Sequence, residues 1–154
     1  MEVRVDRLVS NHYALIIAAA KDLYPPNLHR FIGCDFLTGT DPIFAGLHDH
    51  VDASYGRTLR NTAHCAYEMH QMIRPKSQRR VTVVLPVPET VDTVVHELAH
   101  VMHQAIGWMR TTTDVSWYAE TNRYESFAEA VSSWLVPGYA PRRDVELEKA
   151  LLAL

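Results

Sequence analysis

The chain has 154 residues, 47% of them hydrophobic and 21% charged, with a formal net charge of −3. That length suits a single domain, residues 1–154, able to bury a core without disulfide support. The charge offers no basic footprint for nucleic acid, and no apolar run approaches the ~20 residues of a membrane span.

Leu15-Ile-Ile-Ala-Ala-Ala20 has the apolarity of a short signal-peptide core, but Glu2, Arg4, Asp6 and Arg7 before it carry no positive bias. Helix is expected there, and a cytoplasmic protein. Ser10 or Asn11 can cap this helix, and Pro25-Pro26 stops it near Tyr24. Leu28 to Leu37 is expected to be extended. Thr38-Gly-Thr-Asp-Pro42 is a turn, opening a polar loop that runs to Tyr55. In that loop His48-Asp-His50-Val-Asp52 has metal-friendly residue types, although histidines in a loop are ordinary surface groups. Cys34 and Cys65 match no metal spacing and are too few for a disulfide framework, so both are expected as reduced, buried thiols.

Thr62 to Ile73 fits two patterns. Cys65, Tyr67, Met69 and Ile73 alternate like a strand, whereas Leu59, Ala63, Tyr67 and Ile73 suit a helix. Pro75-Lys-Ser-Gln78 is a turn. Val81-Thr-Val-Val-Leu85 is a strand, β-branched and bounded by Arg79-Arg80 and Pro86. Its edge is where an extended peptide is expected to pair.

A helix follows, capped by Thr90 and ended by Gly107. Val91, Val94, Val95, Leu98, Val101, Met102, Ala105 and Ile106 form its apolar stripe, with His96, Glu97, His100 and His103 on the other side. His96-Glu97-Leu-Ala-His100 is the HExxH pattern. Two histidines four apart lie one turn above the other and can grip a single zinc ion, with Glu97 placed to take a proton from water there.

After a loop from Trp108 to Ala119, a second helix is expected from Asn122 to Val136, stopped by Pro137-Gly138. Asn122 and Glu125 have capping-box spacing. Tyr124, Phe127, Val131, Trp134 and Leu135 form its apolar face, and Glu125 and Glu129 stack on the opposite one. Pro141 opens a last helix whose Val145, Leu147, Leu151 and Leu152 dock on the body. These elements make the fold α+β: an N-terminal helix, a small mixed sheet, then helices.

Zinc catalysis needs three protein ligands and an open position. One zincin pattern places a Gly three residues, and a His six residues, beyond the second His. Here those positions hold His103 and Ile106, which closes that route. His103 lies about 10 Å along the axis from His96, too far to share the ion, and is expected to line the cleft as a polar residue. Glu125 and Glu129 remain, and periodicity does not choose between them.

Tyr118-Ala-Glu-Thr-Asn-Arg-Tyr-Glu125-Ser-Phe-Ala-Glu129, following the HExxH motif, resembles the gluzincin-type zinc metalloendopeptidases. The likeness is to the catalytic domain of anthrax lethal factor and to the bacterial Pro-Pro endopeptidases. It spans roughly residues 81–135 at motif level. It implies a zincin-like fold, one zinc per chain on His96, His100 and Glu125, and Glu97 as general base. It further implies Tyr118 as donor to the oxyanion and Glu129 behind the ligands, orienting a histidine. The implied protein is a monomeric endopeptidase acting on a peptide or protein, with Trp108, Met109 and Trp117 shaping one side of its cleft. Its 154 residues are not expected to include the separate recognition domains of lethal factor. The alternative is a catalytically silent zincin-fold module that binds a protein partner; the intact base, ligands and tyrosine speak against it.

Overall fold

Apolar residues at helical spacing account for most of the architecture in the computed structural model, which describes residues 4–5, 11–38, 64–66, 82–85, 90–107 and 109–154. The first helix, α1 (Asn11–Leu23), ends before Pro25-Pro26. Tyr13, Ile17, Ala20 and Tyr24 are buried along one stripe, while Leu15 on the other side is 71% exposed. The apolar run in this segment is therefore an amphipathic helix. From its end, the Tyr24 hydroxyl donates to the Val95 carbonyl at 2.6 Å and ties α1 to the HExxH helix.

Leu28 to Phe31 is not extended as expected. Pro26–Phe31 is a 3-10 helix with Leu28 fully buried. Proline presets φ for a first helical turn, so the Pro-Pro pair that stops one helix starts the next. Strand geometry begins only at Asp35.

Four short strands make one mixed sheet: β1 (Arg4–Val5), β2 (Asp35–Thr38), β3 (His64–Ala66) and β4 (Thr82–Leu85). Their order is β1-β2-β4-β3, with β1 and β4 parallel to β2, and β3 antiparallel to β4. Strand thus holds for His64–Ala66 within the ambiguous stretch. The rest of that stretch, and the His48–Asp52 segment, lie outside the described residues. The 81–85 strand does not offer the expected edge, because β4 pairs with β2 on one side and β3 on the other. Among the described residues, β3 is the outermost strand on that side.

Helix α2 (Val91–Ile106) carries the motif and packs against both α1 and α3 (Arg123–Leu135). Thr90 occupies its N-cap position, but its hydroxyl meets Asp92 and Thr93 side chains rather than a backbone amide. Gly107 closes the helix at φ 74, left-handed backbone that glycine adopts without strain. Val94, Val95, Leu98, Val101 and Met102 are all buried with Phe127, Ala128 and Val131 of α3. Each large side chain in this set contributes about 1.5–3 kcal/mol by leaving water. No helix among the described residues is long and apolar enough to cross a membrane.

The last helix, α4 (Val145–Leu152), starts later than expected. Asp144 caps it, and Pro141 lies outside it. Leu147 and Leu151 are buried, whereas Val145 and Leu152 are 51% and 55% exposed, so one narrow stripe docks. Asp144 is itself buried and accepts from Leu147 N, from Thr112 N and Oγ1, and from Thr113 N. Burial alone would raise its pKa, but the donors from Thr112, Leu147 and Thr113 together hold it below the usual value. This stabilisation is complete above the ordinary Asp value of ~3.9 and is lost as the pH falls through the lower folded value. Asp144→Ala is expected to cost about 2–4 kcal/mol, a lost cap plus amides left without an acceptor. A urea midpoint equal to that of the parent protein would refute this.

Candidate metal centre

His96 and His100 stand one turn apart on α2, their Nε2 atoms 3.2 Å from each other and their rings nearly perpendicular at 79°. Helix α3 brings the carboxylate that meets them. Its N-cap, Asn122, accepts from the amides of Tyr124 at 2.9 Å and Glu125 at 3.0 Å. In a capping box the side chain of Glu125 would return to the Asn122 amide. Here it reaches across to α2 instead: Oε2 lies 2.9 Å from His96 Nε2 and Oε1 3.5 Å from His100 Nε2.

Among the described residues, His96, His100 and Glu125 are the group that could hold a metal ion, with ligand atoms within 4.8 Å of one another. A tetrahedral ion with bonds near 2.0–2.2 Å places neighbouring donors about 3.3–3.6 Å apart. The two Nε2 atoms, 3.2 Å apart, each face their own oxygen of Glu125, at 2.9 and 3.5 Å, close to that spacing.

Glu129, one turn further along α3, takes the other nitrogen of the same ring: its Oε1 lies 3.1 Å from His96 Nδ1. The Nδ1–H that donates to Glu129 leaves the Nε2 lone pair for an ion. The two glutamates that periodicity could not tell apart therefore occupy different positions. Glu125 lies against Nε2 of both rings and Glu129 against Nδ1 of one.

Without an ion, the imidazole stands among three carboxylates. Burial lowers the pKa of His96, but hydrogen bonds to Glu125 and Glu129 and the charge of Glu97 outweigh it and raise it to about 9. For Glu125, burial raises the pKa, and the two histidines overcome this and bring it to about 2. A proton thus sits where the ion would.

Glu97 is buried at 6% exposure, and its charge reaches both His96 and Tyr118. The Tyr118 ring is centred 6.2 Å from that of His96 and is 46% exposed. Burial, followed by the charges of Glu125, Glu97 and Glu129, pushes its hydroxyl pKa upward, so it stays protonated and able to donate.

His103 does not line the cleft as expected. It is 2% exposed, stacks face to face on Phe127 with ring centres 3.8 Å apart, and donates from Nε2 to the Met109 carbonyl at 3.1 Å. Burial lowers its pKa to about 4; the Met109 bond opposes this, and His100 and Arg123 add to it. It is a neutral joint between α2, α3 and the following loop. Tyr124, expected on the apolar face of α3, is 41% exposed under the Arg123 guanidinium. Glu129, expected on a polar face, is buried, because α3 is covered on nearly every side. Met109 packs on the core and Trp117 is 84% exposed, while Trp108 lies outside the described residues.

Two further contacts of Glu129 are not among the sequence expectations. The Tyr139 hydroxyl donates to Oε1 at 2.5 Å and the Ser116 hydroxyl to Oε2 at 2.6 Å. The signal for Tyr139 is the turn before it. Pro137-Gly138, with Gly138 at φ 75, reverses the chain and lays Tyr139 back along α3. Ser116 carries no such signal.

Compared with protein-family models, curated proteins and solved structures, the chain has no match in any of the three.

Glu125→Ala should abolish binding of a divalent transition-metal probe such as Co²⁺, whereas Glu129→Ala should weaken it about 10–100-fold. A larger loss in the Glu129 variant, by chelator competition, would reverse the assignment. Because His96 is protonated to about pH 9, metal binding at pH 7 should release about one proton and tighten as the pH rises toward 9. Over the same window the metal-free fold should weaken, since a raised pKa gives its full stabilisation below the ordinary value of 6.5 and loses it through about 9. Calorimetry in buffers of different ionisation enthalpy counts the proton; a count of zero would contradict the bridged imidazolium.

Proposed function

We propose that this protein is a gluzincin-type zinc endopeptidase with a zincin-like fold, hydrolysing a peptide bond in a peptide or protein. One observation carries the reading: the Glu125 carboxylate meets both imidazoles of the HExxH motif, while Glu129 holds His96 from behind. Two nitrogens and one carboxylate suit zinc over magnesium or calcium, which prefer all-oxygen shells. Three protein ligands leave one position open, the hallmark of a catalytic rather than a structural site.

When bound, zinc supplies Lewis-acid polarisation of the scissile carbonyl and a lowered pKa for the attacking water. The chain's own groups supply the rest. Glu97 accepts the proton of that water on its carboxylate and returns it to the departing amine nitrogen. Tyr118, protonated and half-exposed beside His96, donates its hydroxyl hydrogen to the oxyanion that develops on the carbonyl.

Protein purified without chelator is expected to contain about one zinc per chain and to lose peptide turnover when the ion is removed. Glu97→Gln should keep the zinc and lose turnover. Tyr118→Phe should lower kcat about 10²–10³-fold at unchanged zinc content, the usual loss for one oxyanion donor. A zinc-loaded protein that cleaves nothing in a diverse peptide library would leave a binding module in place of an enzyme.

A further inference from the structure

Glu129 is buried and receives three donors, which fill its two oxygens from different directions. His96 Nδ1 and the Tyr139 hydroxyl meet Oε1 at 3.1 and 2.5 Å, and the Ser116 hydroxyl meets Oε2 at 2.6 Å. A carboxylate with one donor can rotate about its terminal torsion, which is soft. With donors on both oxygens from three separate segments, it cannot rotate without leaving one of its own buried oxygens unsatisfied. Its orientation toward Nδ1 is therefore set from outside α2 and α3.

Ser116 has a second contact. Its oxygen accepts from the Ala119 amide at 3.1 Å while its hydrogen goes to Glu129. Ala119 follows Tyr118 in the 3-10 turn Tyr118–Glu120. One hydroxyl thus links the turn that bears the tyrosine to the carboxylate that orients His96.

We infer that Ser116 and Tyr139 are positioning residues of the metal centre, acting through Glu129 to hold the Nε2 of His96 toward the ion, with Ser116 also registering the Tyr118 turn. The metal-holding part rests on the His-His-Glu site, and the Tyr118 part on the endopeptidase reading.

The measurement is zinc affinity by competition with a chromophoric chelator, on the full chain, with turnover read separately. Ser116→Ala and Tyr139→Phe should each weaken zinc about 10-fold, the lower end of the loss seen for groups behind metal ligands. Ser116→Thr, which keeps the hydroxyl, should restore affinity. In a Glu129→Gln background neither substitution should weaken zinc further, because both act through that carboxylate; residues that merely stabilise the fold would give additive losses. Wild-type zinc affinity in Ser116→Ala and Tyr139→Phe, or additive losses in the Glu129→Gln background, would overturn the inference, as would a wild-type chain that binds no zinc. If the zinc pattern holds but no peptide is cleaved, the endopeptidase reading falls and the metal-positioning role stands. If turnover is present, Ser116→Ala should lower kcat more than Tyr139→Phe does, at similar KM. The excess should vanish in a Tyr118→Phe background; an excess that persisted there would remove Tyr118 from the role of Ser116.

Discussion

One imidazole, that of His96, is gripped at both nitrogens by carboxylates from the same neighbouring helix. Glu125 and Glu129 stand a turn apart on α3, about 6 Å of axial rise, and reach opposite edges of the ring. That double contact is possible only if α3 crosses α2 closely with its second turn opposite His96. Ala99 on α2 and Ala128 and Ser132 on α3 are small, buried residues on the same helix faces as His96 and Glu125. The apolar packing supplies the free energy of association. Register comes from the polar contacts, since a buried carboxylate shifted by one turn would lose its partners and pay the full cost of desolvation. The site and the helix interface are the same set of contacts.

The centre is also acidic, with Glu97, Glu125 and Glu129 around one imidazole. With no ion, an imidazolium offsets part of that charge, which is why the pKa of His96 is raised to about 9. An ion held on Nε2 would take the place of that proton, and the Nδ1 contact with Glu129 is compatible with it. The buried apolar core lies apart from these charges, so folding need not wait for a metal. Structural zinc sites in small domains differ here, because metal binding itself supplies their folding free energy. In this chain α1, α2 and α3 share a core of Tyr24, Leu98, Met102 and Phe127 that owes nothing to the ion.

How much of this is legible in the sequence depends on whether a feature is local. The helices are, because caps and stops lie within a few residues: Asn122 and Gly107 act as their types predict. The pairing of two imidazoles is local too, fixed by four-residue spacing. Errors arise where one tertiary contact outweighs local pattern. Leu28 reads as extended until the proline-started turn buries it, and His103 reads as a cleft residue until Phe127 stacks on it. The 81–85 strand looks like an edge, since nothing local announces that strands from two distant segments flank it. Ser116 and Tyr139 are the extreme case. Each is an ordinary hydroxyl residue, and only the folded chain sets both against one carboxylate.

The seven-residue step from Tyr118 to Glu125 shows how a break in a helix can do what a continuous one cannot. In an unbroken helix residues seven apart share a face but lie about 10 Å apart along the axis, too far to serve one small centre. Here the chain makes a 3-10 turn at Tyr118–Glu120, becomes extended at Asn122, and only then enters α3. Asn122 therefore has two tasks. Its extended backbone ends the first turn, and its side chain caps the second helix through the amide of Glu125. The result sets the tyrosine ring 6.2 Å from the centre of His96 and the glutamate oxygen 2.9 Å from the same ring's Nε2. A helix former at position 122 would tend to join the two segments and carry Tyr118 away. The capping residue, which touches neither histidine, is thus what brings the tyrosine and the carboxylate to one imidazole.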